Sequence, residues 1–145
     1  MRWVTRKNAM VDRIACPWLI KRFVDPDAEF LYVDAADVDR VVSESGAVAY
    51  DVAGAELGHV SGRCSFESIL VKYQLADPAL ALLGRIVHGA DIEADLHLTS
   101  EAAGLKAIAS GFRLIYGERD LEKLEAESPV YDALYEWCKT ASGSA

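Results

Sequence analysis

The sequence predicts a small α/β domain, with α+β as the neighbouring class: a short sheet from a β-α-β-α-β opening, followed by a helical second half. Three observations carry this. Short β-prone runs alternate with helical patterns over the first 52 residues, four helical patterns with start and stop signals follow residue 64, and the length and composition are those of one globular core. At 145 residues, 52% hydrophobic and 26% charged, the chain suits a single domain over residues 1–145.

Trp3, Val4 and Thr5 favour a strand over residues 2–6, and Lys7-Asn8-Ala9 reads as a turn. A helix is expected over residues 17–24, with Pro17 at its first position, Cys16 as its cap and Trp18, Leu19, Ile20 and Phe23 as its apolar face. Asp25-Pro26 ends it, because the residue before a proline disfavours the helical region. Residues 29–33 form a buried strand, residues 38–45 a short helix closed by Gly46, and residues 47–52 a third strand. Gly54, Gly58 and Gly62 mark a loop that carries His59, Arg63 and Cys64. Ser65 is expected to cap a helix through about Tyr73, and Asp77-Pro78 to open the next. Helical patterns cover residues 100–116 and 118–139, the last with a break expected at Ser128-Pro129, and residues 142–145 read as a short tail.

Fifteen basic residues against twenty-three acidic ones leave a formal charge of −8, which disfavours direct nucleic-acid binding and anionic membranes. Cys16, Cys64 and Cys138 match neither a disulfide framework nor a zinc or redox pair. With no signal-peptide pattern and no apolar run of spanning length, a cytoplasmic protein with reduced thiols is expected.

Two of the three histidines lie near acids in sequence. His59, Glu67, His88 and Asp91 would make an N/O ligand set for zinc, iron or manganese if the fold gathers them. Gly89 weakens the helix that would carry His88 and Asp91, and His97 reads as a surface residue. A second group is basic: Arg6 ends the first strand, Arg13 lies just ahead of the first helix, and Lys21 and Arg22 lie inside it, so that Arg6 and Arg13 beside the helix start, with Arg22, could receive a small dianion. Their bland alternative is ordinary ion pairing with Asp12, Asp25 or Asp27. Cys16, at a helix N-terminus, and Cys64, near His59, are candidate redox thiols whose bland alternative, a buried small apolar residue, is the reading favoured for both, as it is for Cys138.

The runs Trp3-Val4-Thr5-Arg6 and Val11-Asp12-Arg13-Ile14-Ala15-Cys16-Pro17-Trp18-Leu19-Ile20-Lys21-Arg22-Phe23 resemble the opening of the C-terminal domain of ChrB-type chromate-resistance proteins. Later blocks continue the resemblance in order: Tyr50-Asp51-Val52, Glu56-Leu57-Gly58-His59, Gly62-Arg63-Cys64-Ser65-Phe66-Glu67, Ile86-Val87-His88-Gly89-Ala90-Asp91 and Val130-Tyr131-Asp132-Ala133-Leu134. The resemblance implies a role in chromate resistance, with DNA binding assigned to an N-terminal region of the regulators and not to this domain. It overlaps both candidate sites and adds Asp12 and Asp132 as further candidate metal ligands. Three functions follow as expectations: a metal-binding domain that responds to an oxyanion such as chromate, a metal-dependent enzyme using Glu56 or Asp51 as acid or base, and an interaction domain without a metal site; a homo-oligomer or a separate regulator protein is the expected partner in any of them.

Overall fold

The computed structural model describes residues 1–143, so Ser144 and Ala145 of the expected tail lie outside the described residues. Strand β1 (Arg2–Arg6) leads into helix α1 (Asp12–Phe23), then strand β2 (Glu29–Val33), helix α2 (Val38–Ser45) and strand β3 (Val48–Ala49). All three strands are parallel in the order β2-β1-β3, with Trp3 opposite Phe30 on one side and Val48 on the other.

The period-two alternation of β1 and β2 assigns the faces. Trp3, Phe30 and Tyr32 join the main core with α1, whereas Val4, Leu31 and Val33 pack under α2 with Val38 and Ala47. The two crossover helices therefore cover opposite faces, and the chain reverses direction between β1 and β3. In open parallel sheets that reversal leaves a crevice beyond the carboxyl ends of the two strands.

Helix α1 begins five residues before the expected position, so Cys16 lies inside it and Pro17 interrupts its ladder. The missing N–H of Pro17 frees the carbonyl of Arg13, one turn earlier. The Tyr32 hydroxyl from β2 donates to that carbonyl at 2.5 Å, so a strand residue satisfies what the proline removes. Strand β3 is shorter than residues 47–52 because Asp51 adopts φ +49°, turning the chain after Tyr50. Gly46 closes α2 in the left-handed region, as expected.

The second half consists of α3 (Ser65–Lys72), α4 (Pro78–Asp91), a 3-10 helix over Glu93–Leu98, α5 (Ala102–Tyr116) and α6 (Asp120–Ala141). Helix α4 packs against α3, α5 and α6, while α6 also packs against α1. Asp77 caps α4 by accepting from the Ala79 N–H, with Pro78 at the first helical position. The expected break at Ser128-Pro129 is absent, and α6 is continuous. Pro129 and Glu125, whose carbonyl it frees, are both exposed, so the missing hydrogen bond falls on the solvent side of the helix. Gly89 does not end α4 but permits close packing: an added Cβ would stand 2.9 Å from the Ala102 Cβ and 3.0 Å from the Asp95 carbonyl oxygen.

Polar groups on α6 tie down the segment that precedes α1. Asp120 accepts from the N–H groups of Asn8 and Ala9, and the buried Lys123 donates to Asp120 and to the Ala9 carbonyl. Glu127 is buried with both oxygens unpartnered among the described residues, and burial pushes its carboxyl up to about 8. Among the described residues no helix is long and apolar enough to cross a membrane.

Candidate metal centre

The crevice between β1 and β3 collects four side chains from four separate segments. Asp12 opens α1, Asp51 follows β3, His59 comes from the glycine-marked loop, and Asp91 closes α4. The Nε2 of His59 stands 3.1 Å from Asp91 Oδ2, 3.5 Å from Asp12 Oδ2 and 3.5 Å from Asp51 Oδ1.

Each acid is held by the surrounding fold. Asp12 is fully buried; its Oδ2 accepts from the Ser65 N–H at 2.9 Å and its Oδ1 from the Cys16 thiol at 3.9 Å. Ser65 also donates its hydroxyl to Asp51 Oδ1 at 2.6 Å. This double role depends on the start of α3, where Cys64 and not Ser65 is the cap. Glu67 accepts from the Cys64 N–H at 3.0 Å in a reciprocal capping box, leaving the Ser65 hydroxyl free for Asp51. On the outer side of Asp51, Arg13 Nη1 lies 3.4 Å and Arg6 Nη2 3.7 Å from Oδ2, and Arg6 also donates to the Asp51 carbonyl.

Three carboxylates in one crevice are electrostatically costly, and the ionisation equilibria register it. Burial pushes Asp12 up to about 7 against the opposing pull of His59, and burial followed by the charge of Asp51 raises Asp91. The Asp12 carboxylate, 3.5 Å away, lifts His59 to about 9. A divalent cation would answer this surplus of negative charge. Ligands about 2.1 Å from a tetrahedrally held ion stand about 3.4 Å apart, close to the three spacings around His59 Nε2. The donor set therefore fits zinc, iron or manganese, with three oxygens to one nitrogen favouring the harder ions.

The four expected ligands do not form one set. His59 and Asp91 meet in this crevice together with Asp12, whereas Glu67 and His88 belong to a neighbouring cluster with Cys64. There His88 Nδ1 lies 2.6 Å from Glu67 Oε1 and Nε2 lies 2.6 Å from Asp95 Oδ2, so carboxylates engage both ring nitrogens. Burial opposes a charge on His88, but its bonds to Asp95 and Glu67 prevail and raise its pKa. The spacing of three that places His88 and Asp91 near one another on α4 thus serves two clusters.

Asp132 lies away from both, accepting from Trp18 Nε1 at 2.9 Å and from the Arg22 guanidinium. Arg22 consequently separates from Arg6 and Arg13, its guanidinium resting over the Trp18 ring. Arg6, 44% exposed at its side chain, lines a cavity of about 230 Å³ with Asp51, Gly54 and His59. Cys16 lies in the helix interior and not at its N-terminus, and burial followed by the charge of Asp12 raises its thiol well above the ordinary value, which agrees with the buried apolar reading and not with an activated thiol. Burial likewise raises Cys64. Cys138 is buried and His97 exposed, in line with their sequence readings.

Sequence reasoning treated Asp51 only as a candidate acid or base and gave Asp95 no role. The expected strand over residues 47–52 runs through Asp51, so its place at the crevice becomes legible only once β3 is known to end at Ala49. For Asp95 the one cue was its place shortly after His88, which becomes informative only when the chain is known to fold back through the 3-10 helix.

The family described as "ChrB, C-terminal domain" matches residues 3–138. Protein ChrB of Cupriavidus metallidurans is 37% identical to the chain over 135 residues, which cover 92% of this chain and 40% of that protein. The chain thus spans less than half the length of this curated relative. No solved structure matches.

Proposed function

Since the chain belongs to the family of ChrB C-terminal domains, we propose that it serves chromate resistance by holding a divalent metal through Asp12, Asp51, His59 and Asp91 and by receiving an oxyanion such as chromate beside it. The observation that carries this reading is the set of three carboxylate oxygens 3.1–3.5 Å from one imidazole nitrogen, in the crevice at the switch point of the sheet. A bound metal supplies positive charge and a Lewis-acid position for an oxygen ligand.

The rest is work for the chain's own residues. Ser65 orients two of the acids, through its hydroxyl and its backbone N–H, while Arg13 balances the outer oxygen of Asp51. Arg13 is also tied to the Asn8 carbonyl, which leaves Arg6 as the cation freer to turn toward an anion in the adjoining cavity. Chromate and sulfate share charge and shape, so Coulomb attraction to Arg6 gives affinity for dianions as a class. The same opening beside the cluster favours, as a second reading, a hydrolytic or redox enzyme whose substrate enters past Arg6.

Elemental analysis of the purified chain tests the core of this reading. About one equivalent of zinc, iron or manganese in the unaltered protein, and none in a His59→Ala/Asp91→Ala variant that still folds, is expected. Equal metal content in both would exclude this site. On the metal-loaded chain, Arg6→Ala should weaken chromate binding about tenfold in a calorimetric titration, the loss of one charge-assisted contact.

A further inference from the structure

The segment between β1 and α1 carries a sulfur whose surroundings are independent of the metal centre. The chain has three cysteines and two methionines. Cys16, Cys64 and Cys138 are all buried, and burial is the largest cause that raises each thiol above its ordinary value, so none is a ready nucleophile. Met1 is a chain end, 64% exposed. Met10 is the remaining sulfur: half-buried, packed against the main core, and lining an open cavity of about 420 Å³ with Asn8, Ser110, Arg113 and Leu114.

Two donors on α5 stand over that sulfur. Arg113 directs Nη1 to Met10 Sδ at 3.7 Å while its Nε donates to the Asn8 side-chain oxygen at 3.3 Å, which holds the guanidinium beside the thioether. No carboxylate pairs with Arg113 among the described residues. The Ser110 hydroxyl lies 3.8 Å from the same sulfur. In the reduced chain its proton serves the Lys106 carbonyl at 2.8 Å, and rotation about the C–O bond turns it toward a stronger acceptor. A thioether is a weak acceptor, whereas a sulfoxide oxygen is polar and projects beyond the sulfur. The donors around Met10 therefore suit its oxidised form better than its reduced one.

The backbone at this point is clamped. Asp120 accepts from the N–H groups of Asn8 and Ala9, and Lys123 donates to the Ala9 carbonyl. A change at the Met10 side chain is met by side-chain rotation on α5, with the chain held in place.

We infer that Met10 is a site of oxidation by peroxides, with its sulfoxide held by Arg113 and Ser110. The thioether sulfur attacks one peroxide oxygen: an S–O bond forms, the O–O bond breaks, and sulfur gives up two electrons to the peroxide. The departing hydroxide takes the proton left on the transferred oxygen and leaves as water. Arg113 stabilises the negative charge that develops on the departing oxygen, and then donates to the sulfoxide.

Peptide mapping by mass spectrometry, on the purified chain treated with hydrogen peroxide, tests this with Met1 as internal reference. Exposure alone predicts that Met10 gains its oxygen more slowly than Met1; the inference predicts that it reacts at least as fast. Arg113→Ala separates the two causes, because it uncovers the sulfur while removing the donor. A purely steric site would then react faster, whereas the inference predicts oxidation about fivefold slower at Met10 and unchanged at Met1. Arg113 is exposed, and an unchanged melting temperature of the reduced variant shows an intact fold. Oxidation of a packed methionine is ordinarily disruptive, yet the oxidised unaltered chain should keep its melting temperature, and the oxidised Arg113→Ala chain should melt below its own reduced form. Met10→Leu, treated in parallel, gives the contribution of Met1. The inference is overturned if Met10 lags behind Met1, or if Arg113→Ala speeds its oxidation or leaves it unchanged. It is overturned as well if oxidation lowers the melting temperature of the unaltered chain as far as that of the variant.

Discussion

His59 and His88 are each surrounded by carboxylates, yet one cluster is closed and the other open. At His88 each ring nitrogen has its own carboxylate at 2.6 Å, a charge-assisted clasp that joins α3, α4 and the 3-10 helix. At His59 three carboxylates crowd a single nitrogen at 3.1–3.5 Å, longer than charge-assisted hydrogen bonds. Proximity of imidazole to acid therefore does not by itself mark a ligand set. The useful distinction is whether donors match acceptors: the clasp is satisfied from within, while the crevice has more acceptors than the protein can serve.

The largest separation of the two clusters is expected in metal-dependent stability. With zinc or manganese at a hundred times its dissociation constant, the unaltered chain should gain about 2.7 kcal/mol in chemical denaturation. His59→Ala/Asp91→Ala should gain nothing, while His88→Ala should keep the gain on a lower baseline. A gain that disappears in His88→Ala alone would reverse the assignment of open and closed clusters.

The baseline change comes next. His88→Ala should cost about 1–3 kcal/mol, because it leaves Glu67 and the partly solvent-screened Asp95 facing each other without the imidazolium between them. Its pH dependence follows from the raised pKa of His88. The imidazolium is favoured by the folded state, so the stabilisation is fully present below the unfolded value of about 6.5 and declines as pH rises through the folded value. Denaturation midpoints of the unaltered chain and His88→Ala should converge on the alkaline side; a constant gap between them would mean that the clasp does not depend on charge.

Gly89→Ala acts on the same clasp through sterics. The new methyl would meet Ala102 and the Asp95 carbonyl at 2.9 and 3.0 Å, forcing apart α4 and the segment that presents Asp95. A loss of about 1–3 kcal/mol is expected in thermal or chemical denaturation, with metal content unchanged. Loss of metal as well would show that the clasp also holds Asp91 in place.

Much of this fold was legible because the local signals agreed with one another. β1, β2 and α2 occupy the expected residues, and the caps at Gly46 and Asp77 act as their residue types predict. The misreadings at α1 and α6 share a cause: a proline was given a local meaning that tertiary structure overrode, by the Tyr32 hydroxyl in one case and by solvent exposure in the other. The crevice was half legible. His59 and Asp91 stood out by residue type and Asp12 through the family resemblance, but the partition of His59 from His88 depends on how the loop after β3 crosses the sheet, which no sequence spacing encodes. Asp51 is visible only once β3 is known to end before it.

The smallest effect is expected at Asp132, the acid farthest in character from both clusters. It is half exposed and accepts from Trp18 and Arg22, so it fixes the α1–α6 contact by surface hydrogen bonding and by holding the guanidinium over the indole. Asp132→Ala should cost about 0.5–1 kcal/mol in chemical denaturation, the range of a solvent-screened pair plus one hydrogen bond. It should leave both metal content and the pH dependence of stability unaltered. A large metal loss would instead connect the α1–α6 contact to the crevice through α1, whose first residue is Asp12; the comparison would then have to include a third acid that neither touches the metal nor closes the clasp.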